Sequence, residues 1–465
     1  MNTEESKSFI SNIDVQTSFV NVGNSSYEEA IPADAVNVTV GVYFDGTQNN
    51  RKNTEAREEH DKGASGNKDI AEHYIFNEGS SFENDHSNIS RSEPYYVKKN
   101  TKKHKQLSIY IEGVGTENHE EDSYVLGVAQ AKGDTGIKPK VKKAFETLGA
   151  EINEVLSDVN GKTIYNLTID TFGFSRGAAA ARYFISEVTK RKGQVKRRNS
   201  RNGKEIKYKV DFGPLGEHLY DNLWIVKSLN IRFVGLYDTV ASFGIDHDDD
   251  TEELNLDAIK KANHVFQIGA DDEHRNKFRR TNIVSAGGRG KEVLFPGVHS
   301  DIGGGYMDGE GEKLIVDKYN LSRLEKERLY LIDQAWYKDF EIKVDYGVAK
   351  LLAERKSISN LYSFIPLHVM AEYGMSKAVD CEIGKLNDKY SIKDPVLLKI
   401  RKELDNYVWG YRDKVSFTND ADRELLKRIR HKYFHFSAHY NRSYGLTPHK
   451  PNIVDGKRIR VINEG

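Results

Sequence analysis

The chain has 465 residues, 38% of them hydrophobic and 30% charged, and its 69 Lys and Arg against 70 Asp and Glu leave a formal net charge of -1. That length can bury a substantial core, and the balanced charge excludes a global field drawing the chain to nucleic acid or anionic membranes. Cys381 is the single cysteine, which excludes an intrachain disulfide framework and a Cys-rich zinc site.

Residues 1–30 read as a polar leader, with Glu4, Glu5 and Asp14 where a secretory signal needs a basic start and an apolar run, so no signal peptide is expected. No stretch approaches the roughly 18 apolar residues of a membrane-spanning helix, and lipid contact is expected to be peripheral. The first strand is predicted at 36–44, VNVTVGVYF, a β-branched and aromatic run expected near the centre of a sheet. The polar stretch 51–105 has no clear periodicity and is expected to be a long surface excursion, mobile in part, up to a second strand at 107–111. Apolar residues at three- and four-residue spacing, from Ile137 through Val155, predict an amphipathic crossover helix.

A third strand is expected at 167–172, a second helix at 176–190 and a fourth strand at 229–236. Between the last two lies a basic stretch, 190–209, interrupted by Gly and Asn and read as an exposed loop or hairpin whose charge is either solvated or a patch for phosphate or a partner. The acidic run at 246–253, DHDDDTEE, lacks EF-hand spacing and reads as a charged surface loop rather than a calcium loop. Beyond Tyr306 the chain reads as helical and charged, with helices expected at 321–340 and 378–412. Strands alternating with helices predict an α/β, α/β-hydrolase-like fold: a mostly parallel sheet flanked by helices, in one domain over 31–465 with insertions at about 51–105 and 190–215 and a helical portion over 307–465.

Gly173-Phe174-Ser175-Arg176-Gly177 sits between a predicted strand and a helix opening AAAARYFI. A serine hydroxyl is a weak nucleophile that must be exposed and given a base, and a strand-to-helix elbow with small flanking residues does the exposing. An ordinary strand-to-helix turn is the alternative. Asp238 in GLYDTV follows a predicted strand where an acid belongs, competing with Asp246, Asp301 and a simple capping role. His299, in FPGVHSDIGGGY, is the candidate base, against a structural loop histidine. The order Ser175, Asp238, His299 is the chain order of α/β-hydrolase triads.

The Arg176 N–H at the helix start and a backbone N–H of Gly46 or Thr47 are the candidate oxyanion donors; alternatively, Asp45 and Thr47 only build a turn. Asp45, Asp301 and His435 are supporting candidates around the site. A metal on Asp45 and Asp301 is a further option that ester chemistry does not need, and no cofactor or metal is assigned. His435 and His439 lack an HExxH or Cys partner, and His368 in FIPLHVM reads as a core residue.

FDGTQNN at 44–50, YIEGVGTE at 110–117, GFSRGAAAAR at 173–182, GLYDTV at 235–240 and FPGVHSDIGGGY at 295–306 resemble, in order, the marks of the first family of type VI secretion lipase effectors, within a wider α/β-hydrolase domain family. DDEHRNKF at 271–278, FIPLHVM at 364–370 and HFSAHYN at 435–441 resemble it too. The resemblance implies an antibacterial toxin that cleaves acyl esters of membrane phospholipids as a phospholipase A1 or A2, with Ser175, Asp238 and His299 matching the family's triad. It also implies a secretion spike or tube protein and a cognate immunity protein as partners, no nucleic acid, and export by the type VI system to a target cell envelope. The competing expectations are an esterase on other esters and a non-catalytic component of the secretion apparatus.

Overall fold

The computed structural model describes residues 31–77, 79–123, 136–191, 193–198, 205–241, 251–442 and 449–465. The leader 1–30, Asp246 and most of the acidic run lie outside the described residues. β1 (Ala35–Phe44) is followed by α1 (Arg51–Asp61), α2 (Lys68–Phe76), α3 (Ser80–Glu83) and α4 (Asn88–Ser92), then by β2 (Lys99–Asn100) and β3 (His104–Ile111). Next come α5 (Ile137–Val155), β4 (Thr163–Phe174) and α6 (Arg176–Val188), the antiparallel pair β5 (Gly193–Arg198) and β6 (Glu205–Val210), α7 (Gly213–Asp221) and β7 (Ile225–Tyr237). β8 (His264–Ala270), β9 (Arg280–Thr281), β10 (Gly290–Phe295) and α8 (His299–Gly303) lead into the C-terminal part. That part holds β11 (Glu312–Lys318), α9 (Leu321–Asp333), β12 (Ile342–Asp345), β13 (Lys350–Arg355), α10 (Phe364–Met375), α11 (Ile383–Lys389), α12 (Pro395–Val408) and α13 (Asp420–Tyr433). It closes with β14 (Ile453–Val454), β15 (Lys457–Arg458) and β16 (Ile462–Asn463).

Among the described residues the central sheet has seven strands in the order β10-β8-β7-β4-β1-β3-β2, parallel throughout except for the β2–β3 pair. This is an α/β-hydrolase-like architecture, with helices on both faces. Val36, Val38, Val40 and Val42 alternate along β1 and pack with Val141, Phe145 and Leu148 of α5 and with Ala178 to Ala181 of α6. On the opposite face Tyr43, Phe172, Phe233 and Phe266 meet Ile365 and Val369 of α10 and residues of α12 and α13. Both faces are therefore buried, as a parallel sheet requires.

The carboxyl ends of the strands are aligned: Phe44 is in register with Ile111 and Gly173, Phe174 with Tyr237, and Tyr237 with Ile268. The loops after β1, β4, β7 and β10 thus open on one edge, where ligand sites of open α/β sheets form.

Four expectations change. The stretch 51–105 is mostly helical, because Asn50, Asn67 and Ser87 each accept backbone N–H groups at a helix start. Its polar residues Asn53, Ser81, Ser87, Asn88 and Arg91 are buried and hydrogen-bonded, which hid the pattern of inward-facing positions. The helix expected at 321–340 ends at Asp333, and the one at 378–412 is two, α11 and α12, divided before Pro395, with Asp394 capping the second. The portion after Tyr306 also carries an antiparallel sheet, ordered β11-β13-β12. Of the two forms expected for the basic stretch, the antiparallel β5–β6 pair is the one present. No helix among the described residues is long and apolar enough to cross a membrane.

Gly177 opens α6 against the β1 loop so closely that a Cβ there would lie 2.2 Å from the Asp45 carbonyl oxygen and 2.4 Å from that of Phe44. Gly177→Ala is therefore expected to lower unfolding free energy by about 1–3 kcal/mol in urea titrations. Gly384→Ala in α11, where nothing lies within 4 Å, is expected not to lower it.

Candidate active site

β4 ends at Phe174 and α6 begins at Arg176, leaving Ser175 alone at the corner with φ 58° and ψ -123°. A non-glycine residue holds that conformation only when its surroundings enforce it. The Ser175 N–H donates to the Tyr237 carbonyl at 3.0 Å, and the Val240 N–H donates to the Ser175 carbonyl at 3.3 Å. The elbow is thereby stitched to the loop that carries Asp238. The first glycine of the motif is required as well, since a Cβ on Gly173 would lie 2.4 Å from the Gly177 carbonyl oxygen.

Asp238 leaves the end of β7 in the left-handed region, φ 43°, with no exposed surface. Its Oδ2 accepts a 2.5 Å hydrogen bond from His299 Nδ1, and its Oδ1 accepts the Ala270 N–H at 2.9 Å. Arg460 grips both oxygens, donating from its two terminal nitrogens at 2.6 and 2.8 Å. Burial pushes the Asp238 carboxyl up, but Arg460 and His299 together outweigh it and hold the group well below the usual carboxylate range. Being ionised, Asp238 can only accept, so the bonded Nδ1 carries the proton and Nε2 keeps its lone pair.

His299 opens α8 with its ring between two aromatics: Phe174, the residue before Ser175, at 4.6 Å between centroids, and the edge-on Phe278 at 5.0 Å. Burial lowers its pKa from the ordinary value and Arg275 adds to this, against the raising influence of Asp238 and Glu273. At neutral pH the imidazole is uncharged. Among the described residues its ring bonds to Asp238 and makes no hydrogen bond to the Ser175 hydroxyl. Gly303, the first residue of the glycine run, lets α8 press on the Phe174 ring, where a Cβ would sit 2.0 Å from the nearest ring carbon.

Behind these residues lies Glu273, fully buried, which accepts from Arg275 through Nε at 3.0 Å and a terminal nitrogen at 2.9 Å, and from the His299 N–H at 3.3 Å. Burial raises its pKa, but the Arg275 guanidinium pulls it down to about 2. Asp301 accepts from the Val298 and His435 N–H groups and pairs with His435 Nδ1 at 2.8 Å, while the His435 ring stacks on Tyr306. Asp45 accepts from Ser87 and Tyr110 at 2.5 Å each. Both carboxylates are engaged by these separate donors, and no group of three or more metal-type ligands is assembled among the described residues.

Of the two candidate oxyanion donors after β1, the Gly46 N–H donates to Asp45 Oδ1 of the preceding residue at 2.7 Å. The Thr47 N–H donates to no described residue, and the Thr47 hydroxyl accepts Arg176 Nε at 2.6 Å, tying the two candidate oxyanion loops together. His368 is buried in α10 with Nδ1 bonded to Arg401, as a core residue, and His439 stacks on His449. The sequence reading missed Arg460, which lies 222 residues from Asp238. It also gave no role to Glu273 and Arg275, although both fall in the segment DDEHRNKF.

The strand order and the strand-to-helix elbow define the class, an α/β-hydrolase-like protein, and at the carboxyl edge of its sheet the ionised Asp238 is paired with the His299 imidazole. Residues 217–329 match the family model described as T6SS, Phospholipase effector Tle1-like, catalytic domain. That segment is therefore similar to the catalytic domain of type VI secretion phospholipase effectors. A solved structure, the Tle1 effector bound to the VgrG spike from the Type 6 secretion system, is similar over 94% of this chain and 95% of its own, with 22% identity and a TM-score of 0.63. An uncharacterized protein from Pseudomonas aeruginosa aligns over 85% of this chain and 52% of its own at 17% identity, with a TM-score of 0.39, too low to define a shared fold. No curated protein sequence matches the chain.

Glu273 titrates near 2 when folded against about 4.3 when unfolded, so it contributes stability above the unfolded value and loses it as pH falls from there toward 2. Glu273→Gln is expected to be less stable than wild type at pH 6, with the difference shrinking at pH 3. A difference unchanged between those pH values in urea unfolding would contradict the Glu273–Arg275 charge pairing.

Proposed function

We propose that this chain is a phospholipase of the A1 or A2 type in which Ser175 attacks the acyl ester, His299 Nε2 takes the hydroxyl proton, and Asp238 holds the imidazole in the required tautomer. The observation that carries the reading is the 2.5 Å His299–Asp238 bond beside the Ser175 elbow. Asp238 and His299 both lie within 217–329, the segment that matches the phospholipase effector domain. Attack forms a tetrahedral oxyanion; its collapse expels the lysophospholipid, protonated by His299, and leaves an acyl-Ser175 ester. Water deprotonated by His299 then releases the fatty acid and restores the serine.

The Arg176 N–H at the start of α6 and, of the two candidates after β1, the Thr47 N–H are the proposed oxyanion donors. Residues 31–465 are read as one hydrolase domain with insertions. The likeness to an effector solved on a VgrG spike supports a spike protein as delivery partner. A cognate immunity protein and action at the envelope of a target cell complete the proposal.

Ser175→Ala is expected to abolish fatty-acid release from phospholipid vesicles while the protein unfolds at the wild-type temperature. Mass spectrometry of the digest reads the acyl position; undiminished release by the variant would remove Ser175 from the mechanism, and hydrolysis of short-chain esters alone would remove the phospholipid. Because burial depresses the His299 pKa, the acid limb of kcat/KM is expected to have its midpoint below about 6.5. A midpoint above that value would contradict a base kept neutral by its surroundings.

A further inference from the structure

Asp238 is wholly buried, and a carboxylate without a counter-charge in such a place protonates. A neutral acid would offer its own proton to His299 Nδ1 and drive the ring into the tautomer that cannot accept from a serine. One side chain opposes this from the far end of the sequence. Arg460 donates to Oδ1 at 2.6 Å and to Oδ2 at 2.8 Å, a two-pronged grip that leaves Oδ2 aimed at His299 and Oδ1 at the Ala270 N–H.

The same guanidinium donates to the Ala270 carbonyl at 3.0 Å and, through Nε, to the Phe278 carbonyl at 2.9 Å, and the Phe278 ring stands edge-on to His299. The backbone fixes Arg460 from the carboxyl side. β16 runs parallel to β9, the Arg280 N–H donates to the Val461 carbonyl at 3.0 Å, and the Asn282 N–H donates to the Asn463 carbonyl at 3.0 Å. β9 is in turn tied to the residue after Asp238, since the Thr281 N–H donates to the Thr239 carbonyl at 2.9 Å.

The geometry points to Arg460 as a positioning residue for hydrolysis: the 459–465 segment acts as a strap that docks on β9 and delivers a guanidinium to clamp Asp238, so that the acid stays charged and turned toward His299. This rests on the proposed triad. Its specific consequence concerns His299, whose charged surroundings are Asp238, Glu273 and Arg275, with Arg460 behind Asp238. Removing the Arg460 charge leaves Asp238 uncompensated, which either neutralises the acid or favours an imidazolium beside it; both disable the base at a higher pH than in the wild type.

The test compares wild type, Arg460→Lys, Arg460→Gln and Ser175→Ala on vesicles of phosphatidylethanolamine and phosphatidylglycerol, as pH profiles of kcat and kcat/KM. Arg460→Gln is expected to lose about tenfold or more in kcat with little change in KM, and its acid limb to move up by about half a unit or more. Arg460→Lys, which keeps the charge and loses the fork, is expected to keep the wild-type acid limb with kcat reduced several-fold. A role confined to holding the fold would lower the yield of folded protein without moving the acid limb. The proposal is overturned if Arg460→Gln matches wild type in kcat and acid limb or, should that variant not fold, if Arg460→Lys has the wild-type kcat. Full activity in Ser175→Ala would instead defeat the triad itself, whatever the Arg460 variants do.

Discussion

A carboxylate with no access to water must be matched by donors and positive charge, and the Asp238 side chain imposes that demand on three distant parts of this chain. The β8 end supplies the Ala270 N–H, α8 supplies His299, and the segment around β16 supplies Arg460. Desolvation alone would neutralise the acid; the guanidinium and the imidazole reverse that outcome, and the bond from Nδ1 then dictates where the histidine keeps its lone pair. The left-handed backbone at Asp238 and the strained corner at Ser175 are held by cross-loop hydrogen bonds rather than by local preference.

Close approach is the second constraint. Gly173 and Gly177 bring the start of α6 onto the strand ends, and Gly303 brings α8 onto the Phe174 ring, which itself packs on His299. One aromatic side chain thus couples the serine corner to the imidazole. The buried Glu273–Arg275 pair lies beneath, bonded to the His299 backbone, so a charged base layer supports the histidine from behind. Such a pair is costly to desolvate, and it persists because each partner makes two or more hydrogen bonds with the other.

Much of the fold was legible because parallel strands buried on both faces write long β-branched runs, as β1 does, and because α5 repeats its apolar residues at helical spacing. The region from Arg51 to Tyr95 was not, since its inward positions are Asn, Ser, Thr and Arg that satisfy one another across loops. The antiparallel sheet of β11, β12 and β13 was missed because its strands are short and heavily charged, and the break before α12 because Pro395 was read within a helix rather than as its first residue.

By itself the sequence determined the elbow and the order of its candidate partners, because a serine between two close-packing glycines, an acid at a strand end and a histidine before a glycine run are local requirements of backbone geometry. Only the tertiary structure decided which acid meets which histidine, that Asp301 turns to His435, that the Gly46 N–H is taken by Asp45, and that Arg460 reaches the site at all. Charge pairing across a buried interior depends on distance in space and on the exclusion of water, and neither quantity is written in the spacing of residues along a chain.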